Sequence, residues 1–334
     1  MKPVRWGILS TSSFAEGKFI PGLRKSPDID VAAVASRDVG RATEYARRNG
    51  IATAYGSYEE LLADPSIEVI YNPLPNNLHV EWTKRAAEAG KHVLCEKPMG
   101  INAEELNVLL PLTEKVHIAE GFMVRFHPQW TETRDLIRSG AVGRVTHIHV
   151  AFSYTNTDAN NIRNIASVGG GALYDIGCYA IVASRWFLEA EPKRVAAVCD
   201  IDPSFGTDRL TSALLDFGDG RTSNFSVSTQ SVPHQRVHIF GTEGRIEITL
   251  PFNQPLDGPA IYFVHNGGSA DGLDATRHEV STTDQYTSQG EVFSRRIREE
   301  RPTSEHLLDA MTNMRIIDAV FASAKSGRFE TIKA

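Results

Sequence analysis

The chain has 334 residues, 41% hydrophobic and 23% charged, a soluble globular balance that suits about two domains and excludes a disordered or fibrous chain. Lys and Arg number 35 against 41 Asp and Glu, and a net charge of -6 without basic runs argues against nucleic-acid or anionic-membrane partners. Cys95, Cys178 and Cys199 are odd in number and widely spaced, so neither a disulfide framework nor a Cys-x-x-Cys metal site is expected. No apolar stretch approaches the roughly 18–20 residues of a membrane helix, and no apolar signal segment opens the chain. A cytoplasmic protein is expected.

The first third alternates short apolar runs with helical segments. Val4–Leu9 reads as a strand, followed by a polar Ser/Thr turn and a helical stretch near Phe19–Lys25. Val31–Ser36 is the second strand; Asp38 then caps a helix through Arg48, and Asn49-Gly50 stops it. Ser57–Glu60 is a capping box opening a short helix that Asp64-Pro65 ends. Val69–Asn72 is strand, Asn77 caps a helix from Leu78 to Ala89, and His92–Cys95 is strand again. Asn102–Glu105 opens another helix, and Val116–Ala119 is the last strand of the set. This alternation predicts an α/β unit with a doubly wound parallel sheet.

After about Phe122 the pattern changes. Val145–Ser153, Leu210–Phe217, Arg221–Gln230, His234–Phe240 and Arg245–Leu250 read as longer strands, mostly joined by hairpins, hence a large, open, mostly antiparallel sheet. Helices are expected at Pro128–Ser139, Ala172–Leu188 and about Glu305–Lys325. The chain therefore divides into 1–121 and 122–334. Thr222, Asn224, Ser226, Ser228 and Gln230 alternate along one strand, so one sheet face is either wet or an interface.

Four short segments carry chemistry. The turn after the first strand, Gly7-Ile-Leu-Ser10-Thr-Ser12-Ser13-Phe14, stands where a dinucleotide fold brings backbone N–H groups up to a pyrophosphate; Ser10 and Ser12 occupy positions where glycines are expected. At the end of the second strand, Ser36-Arg37-Asp38 with Arg41 one turn on offers a hydroxyl and guanidinium groups to a 2′-phosphate. NADP is expected in preference to NAD, with Asp38 as the residue able to reverse that choice. Cys95-Glu96-Lys97-Pro98 follows the fifth strand, so Lys97 points toward the nicotinamide region of such a sheet. Finally, Gly169-Gly-Gly leads into a helix on which Asp175 and Tyr179 stand four apart, a carboxylate and a phenol on one face. A free phenol, with a pKa of about 10, transfers protons poorly near neutrality unless an ammonium such as that of Lys97 favours the phenolate. His147 and His149 alternate on one strand, but no third ligand with convincing spacing accompanies them, and no metal is expected.

Together with Phe126-His-Pro-Gln129 and Phe240-Gly-Thr-Glu-Gly244, these motifs resemble the glucose–fructose oxidoreductase/inositol dehydrogenase/MocA family over essentially the whole chain. The Asp175-Ile-Gly-Cys-Tyr179 ending resembles its tyrosine-type branch, which includes NADP-dependent D-xylose dehydrogenases, dimeric dihydrodiol dehydrogenases and deoxysugar ketoreductases. The resemblance implies an N-terminal Rossmann domain, and a C-terminal domain whose open sheet makes a homodimer or a dimer of dimers. It implies catalytic roles for Lys97, Tyr179 and Asp175, with Asp175 orienting the substrate. Leu74, Pro75, Asn76 and His79 match a cofactor-lining loop, and Arg125 and Arg163 fall where relatives contact cofactor or substrate. Asn161 joins Lys97, Arg163, Asp175 and Tyr179 as a candidate substrate contact, and Glu96 belongs with Lys97 on the cofactor side. The expected activity is hydride transfer between NADP(H) and a sugar or cyclic polyol. A nucleotide-linked deoxysugar ketoreductase, an NAD-dependent glycosidase and a non-catalytic dinucleotide/sugar sensor are the alternatives.

Overall fold

The computed structural model describes residues 2–333. The chain forms two compact units, Met1–Met123 with Asp284–Met311, and Val124–Thr283 with Thr312–Ala334.

In the first unit, β1 (Val4–Leu9), β2 (Ile29–Ala35), β3 (Thr53–Tyr55), β4 (Val69–Asn72), β5 (His92–Cys95) and β6 (Ile118–Glu120) form a six-stranded sheet in the order β3-β2-β1-β4-β5-β6. All its pairings are parallel, the doubly wound arrangement expected from the alternating pattern. Three of the expected caps are in place, at Asp38, Ser57 and Asn102. Asp38 Oδ1 accepts the Arg41 N–H at 2.7 Å. Ser57 Oγ accepts the Glu60 N–H at 3.1 Å, and the Glu60 carboxylate returns to the Gly56 N–H at 3.0 Å. Asn102 and Glu105 cap each other in the same way, but the helix they open is a 3₁₀ run, Glu104–Glu114, with Pro111 inside it. Asn77 does not cap the following helix; Asn76–Leu78 forms a 3₁₀ turn, and the His79–Glu88 helix starts without a side-chain cap.

Helix Gln285–Glu299 was not expected, and it belongs to this unit, although the sequence assigned all of 122–334 to the second domain. Its Asp284 cap pairs with Lys25 at 2.7 Å, and Ser294 accepts the Trp6 indole N–H at 3.2 Å. Phe293 packs edge-on against Trp6, and Arg298 pairs with Glu68. The buried Trp6, Phe19 and Leu23 surface needs a cover, and this helix supplies it.

In the second unit, β7 (Val145–Thr155), β8 (Arg194–Ile201), β9 (Asp208–Gly218), β10 (Arg221–Ser228), β11 (Gln230–Gly241), β12 (Arg245–Ile248), β13 (Ala260–His265), β14 (Thr276–Val280) and β15 (Glu330–Thr331) make one sheet, ordered β14-β13-β12-β11-β7-β10-β9-β8-β15. Every pairing is antiparallel except β7 with β10. One face is closed by Pro128–Arg138 and by the run through Cys178–Leu188, which bury Trp130, Ile181, Val182 and Phe187. Ala166–Leu188 contains an apolar window long enough to cross a membrane, which the sequence reading missed; 67% of that window is buried inside the protein, as befits a core helix. On the other face Asn224 and Ser226 are exposed, as their alternation requires. Ser228 departs from that pattern, being buried with its hydroxyl donated to the Arg209 carbonyl at 2.8 Å.

Candidate active site

The turn after β1 explains how serines stand in for glycines. Ser10 adopts φ 69°, the left-handed region that favours glycine, and its N–H binds the Ala35 carbonyl at 2.9 Å. Ser12 caps the following helix: its hydroxyl accepts the Ala15 N–H at 3.3 Å, and its carbonyl accepts the Tyr45 phenol at 2.9 Å. Ser13 is exposed, and Phe14 packs edge-on against Tyr286. Ala15–Phe19 is wound as a π-turn. Gly7 does not face a cofactor. It is buried, and a Cβ there would lie 2.9 Å from Leu61 Cδ1, so Gly7 serves the packing of helix Tyr58–Ala63 on the sheet.

The end of β2 bears on the choice of dinucleotide. The Asp38 carboxylate is engaged as a helix cap, while Arg37 and Arg41 are exposed and have no salt-bridge partner among the described residues. A cavity of about 500 Å³ opens here, lined by Thr11, Asp38, Arg41, Glu44, Tyr45 and Arg48. Glu44 pairs with Arg47, and Arg48 with Glu16, which leaves Arg41 as the available cation of the lining. Burial raises the Tyr45 phenol well above its ordinary range, so it remains a donor. Ser36 is buried, its hydroxyl accepting the Asp38 N–H at 3.4 Å. Unpaired guanidinium groups beside a cavity, with the neighbouring carboxylate occupied, fit a dinucleotide carrying a 2′-phosphate.

The ends of β4 and β5 place the remaining first-unit residues together. Leu74 is buried, Pro75 and Asn76 are half-buried, and Asn72 braces their loop by accepting the Leu74 N–H at 3.3 Å. Glu96 accepts the Tyr71 phenol at 2.6 Å, and Tyr71 is itself stacked on Phe19 at 3.6 Å. Lys97 is half-buried, and the Lys97–Pro98 peptide is cis. His79 is only 1% exposed, with Nδ1 2.7 Å from the Pro98 carbonyl and Nε2 2.6 Å from the Leu74 carbonyl. It braces the loops where the sequence reading had it line the cofactor. Burial pulls its pKa down to about 4, against the pull of those two carbonyls.

In the second unit Asp175 and Tyr179 lie on one continuous helical run, a π-turn over Leu173–Gly177 that continues as α-helix over Cys178–Leu188. Asp175 Oδ2 accepts the Tyr154 phenol at 2.6 Å and pairs with Arg163 Nε at 2.9 Å. The Asp175 carboxylate raises the Arg163 guanidinium above its ordinary value, with Tyr179 contributing in the same direction, so Arg163 and the Tyr179 oxygen feel each other's charge. Burial, reinforced by Asp175, pushes the Tyr154 phenol far above its usual value. The Tyr179 ring is 6% exposed and lies against Phe152 and Phe252. Asn161 caps the short turn that carries Arg163, accepting the Arg163 N–H at 3.1 Å. The Arg125 guanidinium lies 5.9 Å from the Trp186 ring centroid.

Two residues that hold this cluster were missed. Tyr154 was not singled out in the sequence, although it reaches Asp175 directly. Asp208, at the start of β9, is 3% exposed, and its Oδ2 accepts the Leu173 N–H at 2.8 Å and the Thr211 hydroxyl at 2.7 Å. Gly171, at φ 122°, clears the space that Asp208 occupies. Burial raises the Asp208 carboxyl to about 6, with these donors opposing. His147 stacks on Phe240, and among the described residues no group of three His, Cys, Asp or Glu is placed to hold a metal.

A parallel dinucleotide-type sheet and a large mostly antiparallel sheet, in that chain order, have their counterpart in known proteins. The model of the oxidoreductase family with an NAD-binding Rossmann fold matches residues 4–123, and that of the GFO/IDH/MocA C-terminal domain matches residues 130–247. The chain belongs to the GFO/IDH/MocA family. It is thereby an NAD(P)-binding oxidoreductase, and the resemblance carried by the motifs is borne out. A relative, the uncharacterized oxidoreductase ORF334 of Rhizobium meliloti, is 46% identical over 99% of this chain and 100% of its own length. The D-xylose 1-dehydrogenase (NADP(+)) 2 of Haloferax volcanii is 36% identical over 96% of this chain and 98% of its own. Among solved structures, the 3-ketoreductase KijD10 of Actinomadura kijaniata, in complex with NADP and TDP-benzene, superposes with a TM-score of 0.89 at 28% identity, covering 96% of this chain and 98% of that one.

Proposed function

We propose that the protein is an NADP(H)-dependent oxidoreductase of a sugar or cyclic polyol. Bound NADP supplies the hydride acceptor, or in the reverse direction the donor, at nicotinamide C4. Arg37 and Arg41 hold the 2′-phosphate, and the turn at Ser10–Ser13 presents backbone N–H groups to the pyrophosphate. Tyr179 takes the proton of the reacting hydroxyl or returns it. Lys97 supplies an ammonium to polarise the reacting oxygen, and Asp175 positions a neighbouring hydroxyl.

The observation that carries the substrate side is the Tyr154–Asp175–Arg163 cluster beside Tyr179. It presents fixed donors and acceptors to a hydroxyl-rich ligand and keeps the Asp175 charge compensated. The NADP-dependent D-xylose dehydrogenase of Haloferax volcanii supports this reading. A nucleotide-linked keto-sugar is the second reading, supported by the likeness to a 3-ketoreductase crystallised with NADP and TDP-benzene. Dimerisation through the open sheet is supported by its outer face, where Val198, 73% exposed, lies in register with Ser212 and Ser226.

Lys97→Met tests the mechanism. Turnover should fall by about a hundredfold or more while NADPH affinity changes only a few fold. Near-normal turnover of this variant across the pH range would defeat the proposal.

A further inference from the structure

His79 is a fully buried titratable side chain of the first unit that reaches two of the segments assigned above, and the proposed mechanism gives it no part in hydride or proton transfer. It opens the His79–Glu88 helix, whose first turn has no side-chain cap. One ring nitrogen lies 2.7 Å from the carbonyl of Pro98, directly after Lys97, and the other lies 2.6 Å from the carbonyl of Leu74, in the loop after β4. Asn72 completes the frame: its Nδ2 donates to the His79 carbonyl at 3.1 Å and to Thr83 Oγ1 at 3.2 Å, while its own carbonyl accepts the Glu96 N–H at 3.0 Å. The ring is 1% exposed, so water does not compete for either carbonyl.

We infer that His79 is a positioning residue that ties the Lys97–Pro98 turn to the Leu74–Asn76 loop, setting where the Lys97 ammonium stands relative to the cofactor loop. This inference rests on Lys97 acting as proposed above. A neutral imidazole carries one N–H, so one of the two carbonyls accepts a hydrogen bond from the ring, the tautomer setting which, and the other nitrogen only rests against its segment. An asparagine amide nitrogen stands near the position of Nδ1 and can keep the link to Pro98. A glutamine amide nitrogen stands near that of Nε2 and can keep the link to Leu74. Leucine keeps neither.

The test compares His79→Leu, His79→Asn and His79→Gln with the parent for melting temperature, NADPH affinity by fluorescence titration, and the rate at which an acylating reagent labels Lys97 without cofactor. His79→Leu should weaken NADPH binding and change Lys97 labelling, each by roughly tenfold, since misplacement by about 1 Å is enough for effects of that size. With the proton on Nδ1, His79→Asn should restore Lys97 labelling toward the parent value; with the proton on Nε2, His79→Gln should restore NADPH affinity; one of the two rescues, and not both, is the expected result. If His79→Leu leaves both readouts at parent values, or if all three variants shift both in proportion to their loss of melting temperature, His79 is only a packing residue and the inference fails. None of these readouts needs turnover. Normal activity in Lys97→Met would sink the mechanism while leaving the His79 linkage to be judged by its own result.

Discussion

In the first unit the candidate site residues sit on loops at the carboxyl ends of parallel strands, and most of their braces are a few residues away: Asp38 beside Arg37 and Arg41, Asn72 beside Leu74, Ser12 at the head of its own helix. In the second unit Asp175 and Tyr179 ride on a helix whose braces come from afar. Tyr154 arrives from 21 residues upstream of Asp175, and Asp208 from 35 residues downstream of Leu173, whose N–H it accepts. A parallel βα unit carries its ligand loops next to the helix that follows, so cofactor chemistry can be read locally. An antiparallel sheet gathers side chains by register, and register is a property of the folded sheet.

That contrast makes predictions, beginning with the largest. Tyr179→Phe should cut kcat by about a thousandfold and leave NADPH affinity near the parent value, which separate kinetic and titration measurements would show. A matching loss of affinity would place Tyr179 with the cofactor residues and blur the division between the units.

Asp208→Ala should destabilise the protein by about 3 kcal/mol in chemical denaturation, because the Leu173 N–H and the Thr211 hydroxyl lose a buried acceptor. A change below about 0.5 kcal/mol would show that the distant brace does little.

Acidification should act on the two units with opposite sign. His79 is held neutral down to about 4 in the fold, whereas an unfolded histidine titrates near 6.5, so its contribution is complete above about 6.5 and is lost as the pH falls toward 4. Asp208 titrates at about 6 in the fold against about 3.9 unfolded, so the protonated form is the better accommodated, and its contribution is complete below about 4 and lost as the pH rises through 6. Each effect is worth up to about 3 kcal/mol. Hydrogen-exchange protection around His79 should therefore fall between pH 6.5 and 4, and Asp208→Asn should remove an opposing pH dependence at the start of the Leu173–Gly177 turn. Equal pH slopes in both places would contradict this.

Arg37→Ala and Arg41→Ala should each reduce the preference for NADP over NAD by about tenfold, measured as a ratio of kcat/KM values. Ser10→Gly has the smallest effect: it should add about 1 kcal/mol of stability by relieving a non-glycine residue at φ 69°.

The same contrast explains what the amino-acid pattern disclosed. Val4–Leu9, Val69–Asn72 and His92–Cys95 stand as strands at the expected bounds, because buried parallel strands are unbroken apolar runs between turn residues. The Asp38 and Ser57 caps were legible because a cap and its N–H partner lie three residues apart. Helix Gln285–Glu299 was not legible as part of the first unit, since nothing in its own residues says which surface it covers. Strands β13 and β14 lie in a segment rich in Gly, Asp and Asn that masks their alternation. Lys97, Asp175 and Tyr179 stood out by motif. Tyr154 and Asp208 carry no local signal, and His79 was singled out for a role its burial excludes.

The most direct test is the initial rate of reduced-cofactor formation with NADP⁺ across pentoses, hexoses, inositols and a dihydrodiol, run beside NADPH oxidation with a nucleotide-linked keto-sugar. Turnover of at least one of these by the parent protein, lost in Tyr179→Phe, is the predicted result. Silence across the whole set, with NADPH still bound tightly, would contradict a carbohydrate oxidoreductase and leave a protein that binds the dinucleotide without passing its hydride to any of them.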